Sequence, residues 1–278
     1  MTEGSRTQAI GIFDSGMGGL TVMRALKARL PNERFVYLGD TARLPYGTKS
    51  GETVTRYAVQ AAAHLVRRRV KLVVVACNTA SAVALPALET ALAPLPVLGV
   101  IEPGARAALS VSPAGPVAVI ATESTVRGGA YERAIRALSP DMQVFQAACP
   151  LFVSLAEEGL TEGPIAELVA QRYLAPLLQE QTSRPACLVL GCTHFPVLKS
   201  VIAGALGPEV SIVDSAATTA EAVAQLLSAG KLASESSQPM ADAFLATDAP
   251  ERFARVGAIF LGAAIDPQAV ELVDLQDG

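Results

Sequence analysis

The sequence predicts an α/β protein of two pseudo-symmetric, doubly wound domains whose mainly parallel sheets face each other across a cleft. Three observations lead there. Short, continuously apolar, β-branched runs alternate with helical stretches, which is the rhythm of parallel strands covered by helices on both faces. That rhythm occurs twice along the chain. Finally, Leu72-Val73-Val74-Val75-Ala76-Cys77-Asn78-Thr79 has a near-copy in Leu188-Val189-Leu190-Gly191-Cys192-Thr193-His194, so each half ends one buried strand in a small residue followed by cysteine.

The residues just after each cysteine give the pair its chemical interest. Asn78-Thr79-Ala80-Ser81 in one copy and Thr193-His194-Phe195-Pro196 in the other are polar caps and a proline of the kind that open helices. Each thiol is therefore expected at a strand's carboxyl end beside a helix N-terminus. Free amides and the positive end of the helix dipole can hold an anion there, and the same field lowers a thiol's pKa.

Composition narrows the class. In 278 residues, 51% hydrophobic content, 17% charged residues, 5% aromatics and no Trp imply two modest domains with aliphatic cores. A net charge of -4 argues against an electrostatic nucleic-acid binder. The one dense basic run, Arg67-Arg68-Arg69-Val70-Lys71, reads as the solvated end of a helix. Residues 1–8 lack an apolar targeting core, and no window approaches the roughly 18 apolar residues of a membrane span, so the chain is expected in the cytoplasm with reduced thiols. Cys149 and Cys187 read as small buried residues, and His64 as a structural member of an alanine-rich helix.

Taken in order, strand 9–13 runs into Asp14-Ser15-Gly16-Met17-Gly18-Gly19, whose glycines let backbone approach a ligand at the start of a helix reaching Arg29. The spacing fits neither a dinucleotide fingerprint nor a P-loop. Strand 35–38 opens into the long polar loop 39–50, which includes Pro45-Tyr46-Gly47 and lies where open α/β sheets place ligands. A helix from Glu52 to Arg68, the Cys77 strand and a helix from Ser81 to Leu92 come next. Prolines and glycines across 94–104 mark a strand and a hinge, the first crossing between domains. Beyond it lie strand 116–122, a helix capped at Thr122-Glu123-Ser124-Thr125 and running to Leu138, strand 142–145, a segment from Cys149 to Glu157-Glu158-Gly159, and a helix from Ile165 to Gln179. After the Cys192 strand come helix 197–205, strand 210–213 and helix 218–227. Residues 228–238, rich in Ser and Ala, read as a linker, and the tail beyond shows no catalytic pattern. This organisation assigns 1–98 plus about 210–229 to the first domain, with Asp14 and Cys77, and 99–209 plus about 230–278 to the second, with Cys192 and His194.

Several chemistries use paired cysteines. A zinc site from Cys77, Cys192 and His194 lacks paired-cysteine spacing, and a redox pair lacks Cys-x-x-Cys. A lone cysteine nucleophile with a histidine base leaves Cys77 unexplained. Opposed acid and base groups suit removal of a proton from one face of a carbon and its return to the other. A free thiol is only about 3% ionised at pH 7, and lowering its pKa by about 1.5 units takes roughly 2 kcal/mol, within reach of a helix terminus and a polar neighbour. Asp14 and His194 are the candidate neighbours.

Five motifs in order carry a resemblance: 12–19 from Ile12 to Gly19, Gly39-Asp40-Thr41-Ala42 with Pro45-Tyr46-Gly47, Ala76-Cys77-Asn78-Thr79-Ala80, Gly99-Val100-Ile101-Glu102-Pro103-Gly104, and Leu190-Gly191-Cys192-Thr193-His194-Phe195-Pro196. On these the sequence resembles the glutamate racemases of the cofactor-independent aspartate/glutamate racemase superfamily. The resemblance implies an isomerase that interconverts L- and D-glutamate by 1,1-proton transfer, without pyridoxal phosphate or metal, and supplies the D-amino acid for peptidoglycan, hence for cell-wall biogenesis and cell shape. By similarity Cys77 takes the α-proton of D-glutamate and Cys192 that of L-glutamate, assisted by Asp14 and His194, with Glu157 or the adjacent Glu158 a further assistant. It also implies substrate binding through Asp14, Ser15, Tyr46, Gly47, Asn78, Thr79, Thr193 and His194, and commonly a homodimer. The alternatives are a racemase of aspartate or another amino acid in the same superfamily, and a non-enzymatic bilobal small-ligand binding protein.

Overall fold

The strand β1 (Ile10–Asp14) is buried at every position and pairs in parallel with β2 (Phe35–Gly39) on one side and β3 (Leu72–Val75) on the other, as its unbroken apolar run requires. A computed structural model describes residues 6–179, 184–234 and 241–275. β4 (Val97–Gly99) extends the first sheet beyond β3. The second sheet is built from β5 (Val117–Ala121), β6 (Val144–Ala148), β7 (Cys187–Gly191) and β8 (Ser211–Asp214), in the order β6-β5-β7-β8. β9 (Ala243–Ala246) and β10 (Val270–Leu272) then return to the first sheet, which is six-stranded in the order β10-β9-β2-β1-β3-β4. Every strand pair is parallel.

The two-lobed α/β architecture is as expected, but the lobes exchange their late segments relative to the sequence reading. β8, expected in the first domain, instead pairs with β7, Leu188 opposite Ile212. The tail beyond 230, expected in the second, instead gives the first sheet β9, with Phe244 opposite Tyr37, and β10. The return crossing occurs in the helix 215–229, after β8 rather than before it. The Ser- and Ala-rich stretch that suggests a crossing marks a loop, of which 235–240 lie outside the described residues.

The helices that matter for the site are α1 (Leu20–Arg29), α2 (Gly51–Arg67), α3 (Asn78–Leu92), α4 (Ile101–Val111), α5 (Glu123–Gly128), α6 (Ala130–Leu138), α7 (Leu151–Glu157), α8 (Pro164–Gln179), α9 (Lys199–Leu206), α10 (Ser215–Ala229) and α11 (Pro250–Leu261). α4 opens directly after β4, so the expected hinge at 101–104 is the first turn of a helix, which tolerates Pro103 there. The helix expected from Thr122 to Leu138 is two, broken at Gly129, whose φ of 59° is a left-handed turn that glycine adopts without cost. His64 lies in the last turn of α2 with Arg67 Nη2 3.1 Å from its ring, a structural place.

One hydrophobic cluster spans both lobes, joining Ile10 and Ile12 of β1 to Leu188 and Leu190 of β7 through Met17, Phe195 and Phe253. The carboxyl ends of β1, β3, β5 and β7 thereby converge, and the residues just beyond them form the site.

Candidate active site

Cys77 is the N-cap of α3, closer to the helix than the sequence suggests, so Asn78 and Thr79 form its first turn. The thiol donates to Ser15 Oγ at 3.5 Å, and Sγ accepts the Ala80 amide at 3.5 Å. With the Ser15 hydroxyl turned to donate, these contacts and the helix end would favour a thiolate, yet the group moves the other way. Burial, reinforced by the negative charge of Asp14, pushes the Cys77 thiol up to about 12. The expectation that Asp14 and the helix N-terminus would lower it is corrected: a buried anion nearby repels the thiolate.

Asp14 itself is fully buried and does not line the cavity. Its Oδ2 accepts the Gly16 amide at 3.0 Å, and Oδ1 accepts the Thr193 hydroxyl at 3.5 Å. Asp14 thus ties the glycine-rich loop of one lobe to the Cys192 loop of the other. Desolvation raises its pKa despite the opposing His194 charge and these hydrogen bonds. The glycines allow the close approach: a methyl on Gly18 would stand 2.5 Å from Thr193 Oγ1 and from His194 Cε1.

On the other wall, β7 delivers Cys192 and a 3-10 turn, Phe195–Leu198, succeeds His194. His194 Nδ1 lies 3.8 Å from Cys192 Sγ, and Nε2 lies 3.1 Å from Glu157 Oε1. Of the two carboxylates the sequence leaves open, Glu157 is the one in contact with His194. Burial alone would depress the imidazolium, but hydrogen bonds to Cys192 and Glu157 and the charge of Asp14 outweigh it and push His194 up to about 10. A ring charged at neutral pH donates from both nitrogens, to sulfur on one side and carboxylate on the other. Glu157 is itself held below the usual carboxylate range, because His194 and Arg252 overcome its burial.

Both sulfurs line a single cavity of about 220 Å³, near the small end of ligand pockets. Ser15, Tyr46, Gly47, Asn78 and Thr79 line it from the first lobe, and Thr193 and His194 from the second. Sequence reasoning misses Thr122, Glu123 and Ser154, all second-lobe lining residues. A signal for Thr122 exists: it comes after β5 as Cys192 comes after β7, although its capping pattern alone points only to a helix start. Its hydroxyl lies 3.1 Å from that of Thr79, an inter-lobe contact at the cavity wall.

Asn78 brings an unpartnered polar atom to the cavity wall. Its Oδ1 accepts the Tyr131 hydroxyl at 2.7 Å, while its Nδ2 is buried with no hydrogen-bond partner. A buried donor without a partner costs about 1–3 kcal/mol, and beside a cavity it is a donor waiting for an acceptor. With the start of α3, it makes this wall suited to a carboxylate. Among the described residues no cluster of His, Cys, Asp and Glu could hold a metal, and no helix is long and apolar enough to cross a membrane.

Residues 10–223 match the family model described as Asp/Glu/Hydantoin racemase. A curated glutamate racemase of Geobacter metallireducens is 52% identical over 255 residues, covering 92% of this chain and 93% of its own. The crystal structure of glutamate racemase from Francisella tularensis in complex with D-glutamate superposes with a TM-score of 0.90 at 37% identity, covering 98% of this chain and 100% of that one. The Thermus thermophilus glutamate racemase in complex with β-chloro-D-alanine gives 0.87 at 44% identity, covering 98% of each.

Proposed function

The chain belongs to the Asp/Glu/Hydantoin racemase family, and on that premise we propose that it is a glutamate racemase, an isomerase that inverts the α-carbon of glutamate with two thiols. The observation that carries the mechanism is the placement of Cys77 and Cys192 on one cavity, each just past an equivalent strand of opposite lobes. From D-glutamate, the Cys77 thiolate takes the α-proton. An S–H bond forms, and the C–H pair stays on the α-carbon, spread into its carboxylate. Cys192 then gives its S–H proton to the opposite face and becomes the thiolate, leaving L-glutamate. The reverse reaction exchanges the roles.

The supporting groups divide the remaining work. His194, backed by Glu157, places a cation against the sulfur of Cys192. Asp14 holds the two loops in register. Ser15, Tyr46, Gly47, Asn78, Thr79 and Thr193 surround the substrate, with the Asn78 amide and the α3 terminus meeting a carboxylate. Every proton acceptor and donor in this scheme is a side chain of the protein. The D-glutamate produced is destined for peptidoglycan, made from precursors in the cytoplasm, where the four free thiols are suited to remain reduced. A homodimer is the assembly the family resemblance implies, and light scattering of purified protein decides it.

Incubation with L-glutamate in deuterated water is expected to give α-deuterated glutamate of both hands. Faster turnover of aspartate would shift the substrate assignment within the family, and absence of any α-exchange would leave a binding protein. Cys77→Ala and Cys192→Ala are each expected to abolish racemisation. Full turnover by either variant removes that thiol from the scheme.

A further inference from the structure

The tail shows no catalytic pattern in sequence, yet α11 reaches the second-lobe histidine directly through Phe260 and indirectly through Glu157. Phe260 meets the His194 ring edge-on, centroids 4.9 Å apart at 72°. Arg252 Nη2 donates to Glu157 Oε2 at 2.7 Å, while Oε1 of the same carboxylate faces His194 Nε2. α11 packs with α1 and β10 on the first lobe, so this chain of contacts crosses the cleft.

Glu157 needs such a clamp. It is the last residue of α7, and Gly159 turns the chain away with φ 72°. A carboxylate at a helix C-terminus faces the negative end of the dipole. Beside it opens a cavity of about 240 Å³ that Glu158 and Arg255 also line, so a released side chain has somewhere else to go.

We propose that Arg252 is a positioning residue for the racemase reaction: from the first lobe it holds Glu157 on His194 Nε2, which keeps Nδ1 aimed at the Cys192 sulfur. The inference rests on the racemase reading for its kinetic consequence, but the geometry it describes exists without substrate. The charged and titratable groups facing His194 are Cys192 on its own loop, Asp14 from β1 and Glu157 from α7, with Arg252 beyond Glu157. Phe260 adds only an apolar wall.

Two effects of losing Arg252 have opposite signs, which makes the test decisive. Removing a cation, with nothing moving, favours the His194 imidazolium and raises its pKa. Releasing Glu157 takes away a hydrogen-bonded carboxylate and lowers it. The chain has only two histidines, so nitrogen-15 imidazole titration of the ligand-free protein resolves both, with His64→Gln identifying the other. For Arg252→Met the expected result is a lower His194 pKa and a kcat for L-glutamate about tenfold to a hundredfold lower, the scale for a misplaced reacting group, with KM changed far less. The alkaline limb of the kcat profile should move down in pH with it. Arg252→Lys should recover most of both readouts. An unchanged or raised His194 pKa in Arg252→Met overturns the proposal. Should that variant fold poorly, Arg252→Gln is read in the same way. Failure of the wild-type chain to racemise glutamate strikes the racemase reading alone, since the titration still decides whether Arg252 positions the ring.

Discussion

Replacing Tyr131 by Phe removes one oxygen from a side chain that never touches the cavity, yet it is expected to damage substrate binding. Tyr131 is fully buried on α6, wedged against Gly104 and Gly191, where added methyls would stand 3.2 and 3.0 Å from its ring. Burial, then the charges at Cys192 and Asp214, raise its pKa far above the ordinary phenol value, so the hydroxyl keeps its proton and donates to Asn78 Oδ1 at 2.7 Å. That bond fixes the amide and leaves Nδ2 as the unpartnered donor proposed above to meet a carboxylate. Phe fits the same space and leaves Oδ1 buried without a donor, at a cost of about 1–3 kcal/mol. If the amide turns to recover a partner, it withdraws the donor meant for the carboxylate. Either way kcat/KM for glutamate should fall by about 5- to 150-fold, the same energy converted at about 1.4 kcal/mol per decade. The assay is a double-mutant cycle, Tyr131→Phe with Asn78→Ala, read in kcat/KM and in urea unfolding. In the Asn78→Ala background the tyrosine substitution should cost almost nothing further in kcat/KM. Strict additivity would refute the claim that Tyr131 acts through Asn78.

Three further outcomes are expected. Gly18→Ala forces a methyl to 2.5 Å from Thr193 Oγ1 and His194 Cε1 and should cost about 1–3 kcal/mol of stability and most of the activity, whereas Gly128→Ala, with nothing within 4 Å, should be tolerated; equal behaviour of the two would contradict the close-approach argument. The folded His194 titrates near 10 against an unfolded value near 6.5, so its stabilising contribution is complete below about 6.5 and fades as pH rises toward 10. Unfolding midpoints in urea should therefore fall across that window, less steeply in Glu157→Gln, and a rise would count against the charged ring. Lastly, kcat should be larger from L- than from D-glutamate, with KM larger in proportion, measured by circular dichroism in each direction; equal or reversed kcat values would contradict a resting state with the proton on Cys77.

The sequence is most legible where local chemistry and position coincide. Cys77 and Cys192 stand out because each ends a buried apolar run, and both line the cavity. Asp14 belongs to the right loop but acts for a different reason. A carboxylate beside a glycine turn looks like a ligand contact, but desolvation and its tie to Thr193 are properties of the folded interior. Arg252 gives no signal at all, since an arginine in an amphipathic tail helix is unremarkable until the fold brings it 2.7 Å from Glu157. The lobe assignment fails for a related reason: edge strands such as β8 and β10 are short and partly exposed, so their partners are decided by chain reach and helix packing rather than by any pattern within them.

The two walls share a topology and differ in charge, and that difference constrains the mechanism. Cys77 stands near the Asp14 carboxylate and keeps its proton up to about 12, whereas a negative sulfur at Cys192 is accommodated by the His194 imidazolium 3.8 Å away. Cys77 therefore rests as the acid, while the cation stands beside the sulfur of the opposite wall, the arrangement that L-glutamate requires. D-glutamate requires the opposite one, which is the less populated. Enantiomers have equal free energy in water, so the equilibrium constant is unity and kcat/KM must be the same in both directions, however unequal the walls. The asymmetry can appear only in kcat and KM separately. Turnover of L-glutamate leaves the high-energy proton arrangement, which relaxes downhill, while turnover of D-glutamate leaves the resting one, which must be driven uphill before the next cycle. Saturating D-glutamate thus meets a step that saturating L-glutamate does not. A two-thiol racemase with one carboxylate-backed wall and one imidazolium-backed wall cannot run at equal maximal rates in both directions when that relaxation is slow.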